Sequence, residues 1–151
     1  MQLYSLTYMS SAVRLPTEAE INHLLTRARI RNEREQVTGI LLYDEGSFFQ
    51  VIEGPKDGLE RVYSAILADP LHRDVLELLY DPIDKREFEG WSMAYRAVGV
   101  GVVVPDPALD AKLSAPPGDL NAVHHLLASF WNGGLGHRYR SVIDGKPTIR
   151  R

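Results

Sequence analysis

A chain of 151 residues with 44% hydrophobic and 25% charged residues has the size and composition of one globular domain plus an extension, which excludes a disordered or fibrous protein. Its 17 basic and 20 acidic residues leave a net charge of -3, a poor match for a polyanion-binding protein, so no nucleic-acid partner is expected. The absence of cysteine excludes disulfides, thiolate metal sites and cysteine nucleophiles; with no basic-then-apolar leader and no apolar run near the roughly 18 residues of a span, a cytoplasmic chain with no membrane association is expected.

Leu3 to Tyr8 alternates as a strand, with Tyr4, Leu6 and Tyr8 on one face. Thr17 and Glu20 form a capping box, and Ile21, Leu24, Leu25 and Ala28 then recur at helical spacing, which predicts a helix over 17–33. Val37–Tyr43 and Phe48–Glu53 read as two strands joined through the turn residues Asp44–Ser47. A second apolar stripe, Leu59, Val62, Tyr63 and Ile66, predicts a helix that Pro70 stops after Asp69. Val75–Tyr80 is a further strand, and Trp91–Tyr95 the last, with Trp91, Met93 and Tyr95 expected on one face.

The order βαββαββ predicts an α+β, ferredoxin-like sheet. Right-handed crossovers put both helices on one face and leave the other open. The Gly/Val stretch 98–104 and the proline-rich 105–117 read as a linker. After it, Asp119 caps a helix striped by Leu120, Val123, Leu127, Phe130 and Trp131, which the open face is expected to bury. Residues 1–97 are thus expected to form the domain, and 98–151 a linker, C-terminal helix and basic tail. His124 and His125 diverge by about 100° on that helix, so no metal site is expected there.

Two amides stand where apolar side chains belong. Asn32 lies about 20° from Ile21 on the helical wheel, near the centre of the buried stripe. Gln50 shares a strand face with Phe48 and Ile52, where an unsatisfied amide costs roughly 1–3 kcal/mol. The Tyr8 hydroxyl and the Trp91 indole belong to the same region. Taken singly, each group needs only a backbone partner. Converging between a helix and a sheet, they suit a flat ligand with a polar edge, whose identity these residues leave open.

Six ordered motifs cover residues 1 to 96: Tyr8, Ala28-Arg-Ile-Arg-Asn32, Thr38-Gly-Ile-Leu-Leu-Tyr43, Phe48-Phe-Gln-Val-Ile-Glu-Gly54, Asp69-Pro-Leu-His72, and Arg86-x-Phe88-x-x-Trp91-Ser-Met93. In these the chain resembles the BLUF family of flavin-binding blue-light sensors. The resemblance implies FAD, or FMN, between the two helices, with Asn32 on the pyrimidine edge. Gln50 bridges the flavin N5/O4 region and the Tyr8 hydroxyl, and Ile66 packs on the ring. Arg31, where some relatives have His or Asn, joins the cofactor-binding set. Asp69 and His72 match positions near the ribityl and phosphate side, beside their plainer readings as a helix cap and a surface histidine. Ala28 and Leu71 depart from the pattern, Leu71 replacing a frequent arginine.

The same resemblance implies a mechanism. Light moves an electron and a proton from Tyr8, and their return leaves Gln50 rotated or tautomerised, with a red-shifted flavin. Trp91 and Met93 report the change through strand five to the C-terminal helix. Output is expected to pass to a separate effector partner or through a homo-oligomer, because residues 98–151 hold no recognisable effector, and the chain itself is not expected to be an enzyme. The alternative is a flavin- or small-ligand-binding regulatory domain without photochemistry. An RNA-recognition module lacks its aromatic signature here, and a small acylphosphatase-like hydrolase lacks its arginine-bearing loop.

Overall fold

The computed structural model describes residues 1–97 together with Leu126 and Phe130. The linker, the basic tail and the rest of the expected C-terminal helix lie outside the described residues. The elements run β1 (Leu3–Ala12), α1 (Glu18–Arg34), β2 (Thr38–Asp44), β3 (Ser47–Pro55), α2 (Lys56–Ala68), β4 (His72–Ile83) and β5 (Ala94–Ala97). They form one five-stranded sheet in the order β4-β1-β3-β2-β5, in which β1 lies antiparallel to β3 and β4, and β5 parallel to β2.

Local chemistry accounts for the boundaries. The Thr17 side chain accepts from the Glu20 amide while the Glu20 side chain accepts from the Thr17 amide, which closes the N-terminus of α1. Between β2 and β3, Glu45 and Gly46 both take positive φ (40° and 91°), the left-handed pair that a two-residue hairpin turn requires. Gly58 lets the start of α2 approach the end of α1, since a Cβ there would sit 2.4 Å from the Glu35 carbonyl oxygen. β4 is longer than its apolar run suggests. As an edge strand it pairs with β1 alone, so Pro82 can sit in it without breaking a ladder on its outer side.

The sheet separates two apolar layers. On the helix side Leu6, Tyr8, Leu41, Phe48 and Ile52 pack against Ile21, Leu24, Leu25, Leu59, Val62 and Ile66. On the far side Ile40, Leu42, Phe49 and Val51 gather with Phe88, Ala94 and Phe130. Phe130 is fully buried, its ring stacked on Phe49 at a centroid distance of 5.3 Å, and the half-buried Leu126 packs on the same layer. Both residues are helical. The open face of the sheet thus receives part of the C-terminal extension, with Leu126 joining the stripe expected from Phe130.

One expectation fails. Trp91 and Met93 do not share a face of the last strand, because β5 begins only at Ala94. The segment before it is irregular, so strand alternation does not apply there: Trp91 packs with Phe88 on the far layer, whereas Met93 is buried on the helix side.

Candidate functional site

A cavity of about 520 Å³ opens between α1 and α2 over the sheet. α1 presents Leu24, Arg27, Ala28, Arg31 and Arg34 to it, each three or four residues from another of the set and so along one helical face. The end of α2 and its cap add Ile66 and Asp69, and the sheet adds Leu41, Gln50 and His72, with Met93 beside them. Apolar walls with a few fixed polar groups are the usual make-up of a small-molecule site.

Its floor is a line of contacts through Gln50. Tyr8 and Gln50 are directly paired across β1 and β3, and the Tyr8 hydroxyl donates to Gln50 Oε1. Gln50 Nε2 in turn donates to Met93 Sδ at 3.5 Å. Tyr8 is fully buried and Gln50 nearly so. Burial drives the Tyr8 phenol far above its ordinary pKa, outweighing the opposite pull of Arg31. At neutral pH it keeps its proton.

Asn32 is fully buried behind the wall, where its Nδ2 donates to the Ser92 carbonyl at 2.7 Å. Its Oδ1 and the Arg31 Nε are buried with no hydrogen-bond partner. Native structures rarely leave such groups unpaired, so each calls for a ligand or water. Burial also lowers the pKa of Arg31, which still stays charged.

At the α2 end, Asp69 caps the helix and its Oδ1 accepts from the Leu71 amide at 2.9 Å, while Oδ2 faces Arg27 at 3.7 Å. Its cap role and its place in the cavity wall therefore coexist. His72 is no surface histidine: it is half-buried, its Nδ1 lies 2.8 Å from Ser10 Oγ, and desolvation lowers its pKa. Of the residues picked from sequence, Gln50, Arg31, Ile66, Asp69, His72 and Met93 line the cavity, Asn32 and Tyr8 support it, and Trp91 stands on the other side of the sheet. Arg27 and Arg34 escaped the sequence reading, although their spacing from Arg31 already placed them on its face.

A further network fixes the segment between β4 and β5. Glu53, almost wholly buried, accepts from the amides of Glu87 (2.9 Å) and Phe88 (2.6 Å) and from Thr38 Oγ1 (3.1 Å). Arg86 binds the Glu53 and Gln36 carbonyls at 3.0 and 2.7 Å. Arg29 Nε donates to the Met93 carbonyl at 3.1 Å. Among the described residues, no cluster of metal-ligating side chains is present, and no helix is long and apolar enough to cross a membrane.

Residues 3–94 match the family description "BLUF: Sensors of blue-light using FAD". The chain is 37% identical over 92 residues to the photoactivated adenylate cyclase subunit beta of Euglena longa, which is 60% of this chain and 11% of that one. It thus spans about a tenth of the length of the curated relatives it matches. Among solved structures, BlrP1 of Klebsiella pneumoniae with FMN and cyclic diGMP superposes with a TM-score of 0.72 at 35% identity, covering 87% of this chain and 35% of that one. The dark-state structure of BlrB, a BLUF protein, superposes with a TM-score of 0.63 at 30% identity, covering 95% and 97%.

Proposed function

Since this chain belongs to the BLUF family of blue-light sensors using FAD, we propose that the cavity between α1 and α2 holds the flavin and that Tyr8, Gln50 and Met93 turn its excitation into a conformational signal. The unbroken line of contacts from Tyr8 through Gln50 to Met93 under the cavity carries this reading. The residues present fit the cofactor: Asn32 Oδ1 and Arg31 Nε are buried and unpartnered, and the apolar walls suit a flat ring. Arg31 and Gln50, with Asn32 behind them, would hold the polar edge of the ring, Ile66 would pack against it, and Asp69 and His72 would hold its ribityl and phosphate side. FAD is the family's cofactor, and FMN shares the same ring.

When bound, the flavin supplies absorption of blue light and an excited state that accepts an electron. Tyr8 is the donor. Because burial keeps its phenol protonated, Tyr8 would give up an electron only together with its proton, for which Gln50 Oε1 is the acceptor already in place. Return of both to Tyr8 would leave Gln50 free to rotate or tautomerise. A new Gln50 arrangement alters its bond to Met93, which the backbone joins to Trp91 and the far layer. From there the signal would reach Leu126 and Phe130 of the C-terminal extension, and then an effector partner or a second copy of the chain. The domain acts in this as a sensor and not as an enzyme.

Absorption spectra of the purified protein before and after blue light test the reading. A yellow protein with a reversible red shift is expected. A colourless protein that cannot be reconstituted with FAD or FMN overturns flavin binding, and a yellow protein with no light response leaves a flavin-binding regulatory domain without photochemistry.

A further inference from the structure

Three successive carbonyls in the segment that leads into β5 are held by groups from other elements. The Gly39 amide of β2 donates to the Trp91 carbonyl at 3.1 Å, Asn32 Nδ2 to the Ser92 carbonyl at 2.7 Å, and Arg29 Nε to the Met93 carbonyl at 3.1 Å. Arg29 and Asn32 lie one helical turn apart on α1 and so reach the segment from the same side of that helix. Arg29 is the outlying clamp of the three. Asn32 is fully buried behind the flavin cavity and Gly39 belongs to the sheet, whereas Arg29 is exposed, and the cavity wall takes its neighbours Ala28 and Arg31. The residue it holds is the one on which the line through Gln50 ends: Met93 is buried, and its sulfur accepts from Gln50 Nε2 at 3.5 Å. A thioether sulfur accepts and does not donate. A Gln50 that turns its oxygen toward Met93 therefore sets two acceptors against each other, and Met93 has to give way. Arg29 opposes that displacement by fixing the backbone of the same residue, through a bond that the guanidinium charge strengthens.

We propose that Arg29 is a positioning residue for Met93 that sets the lifetime of the light-altered state: by tying the Met93 carbonyl to α1 it favours the arrangement in which the sulfur accepts from Gln50, and so speeds the return in the dark. The proposal rests on the photochemical reading of Tyr8, Gln50 and Met93 and adds the group that governs its reversal. Arg29 acts through Met93 and has no part in the chemistry at Tyr8 and Gln50.

Two substitutions in the full chain test it. Arg29→Met keeps an apolar stem and removes the donor, whereas Arg29→Gln puts an amide N–H at the same distance from Cα as Arg29 Nε. In the flavin-loaded chain, Arg29→Met is expected to show the red shift at full size, which also reports a folded site, and to recover in the dark about three- to tenfold more slowly. Arg29→Gln is expected to recover within about twofold of the unaltered chain. A second readout needs neither flavin nor light. The chain has three methionines, so methyl-labelled methionine gives a simple NMR spectrum. The Met93 signal, identified with Met93→Leu, is expected to move in Arg29→Met and to return toward its place in Arg29→Gln. Unchanged recovery in Arg29→Met, equal slowing in Arg29→Gln, or an unmoved Met93 signal overturns the proposal while leaving the photochemistry standing. A flavin-loaded chain with no red shift in any form overturns the photochemical reading itself, and the proposal with it.

Discussion

Removing the Tyr8 hydroxyl while keeping the ring separates chemistry from packing, because volume hardly changes. Tyr8→Phe is expected to fold and bind flavin yet show no reversible red shift, and Gln50→Leu is expected to lose it too, having neither donor nor acceptor. Trp91→Phe should retain the shift, since Trp91 packs across the sheet from Gln50. Illuminated difference spectra check all three, and a full reversible shift in Tyr8→Phe contradicts the mechanism. His72 gives a pH dependence. Desolvation lowers its folded pKa below the unfolded value of about 6.5, so the folded state resists protonation and stability is lost as pH falls below that value. The drop in thermal midpoint between pH 7.5 and 5.5 is expected to be smaller in His72→Gln than in the unaltered chain; an equal drop assigns the effect elsewhere. Asn32 and Gln50 were legible in the sequence because each breaks a regular apolar pattern. Arg27 and Arg34 were not, because a charged residue at the edge of a stripe looks like solvated surface until a cavity is found beneath it.

Periodicity identified both helices and the β2–β3 hairpin, where residues three or four apart, or alternate residues, face one core. It failed at 84–93, which has no repeating backbone geometry and is positioned by side chains from elsewhere, Glu53, Asn32 and Arg29, and by the reach of its own Arg86 to the Glu53 carbonyl. The adjacency of Trp91 to a short strand therefore misplaced it. Glu53→Ala strands two amides that the carboxylate now satisfies, at a cost of about 3 kcal/mol in unfolding free energy. Denaturant unfolding measures that cost, and Trp91 fluorescence is expected to shift as the segment loosens. A variant with unaltered stability and fluorescence shows that the segment is held by its apolar contacts alone.

Across the whole molecule, the sheet is covered on both sides, and the far cover includes a residue well beyond the matched region. Phe130→Ala removes a fully buried ring from the stack on Phe49 and is expected to cost about 3 kcal/mol. Deleting residues 105–151 is expected to expose that layer and to lower stability or solubility or promote self-association, read by thermal melts and light scattering. Unchanged behaviour in both variants contradicts docking. The need for a cover followed from the same-side helices, whereas Leu126 lay outside the stripe read from sequence and is identified by its contact. The strand order has one more consequence. β1, the earliest of the described strands in chain order, lies in the interior of the sheet between β3 and β4. Its first partner begins only at Ser47 and is complete at Pro55, and its second is complete only at Ile83. The β2–β3 hairpin, closed by two residues, can form before either pairing, so folding is expected to start at this hairpin and capture β1 late, at the slower pace of long-range contacts.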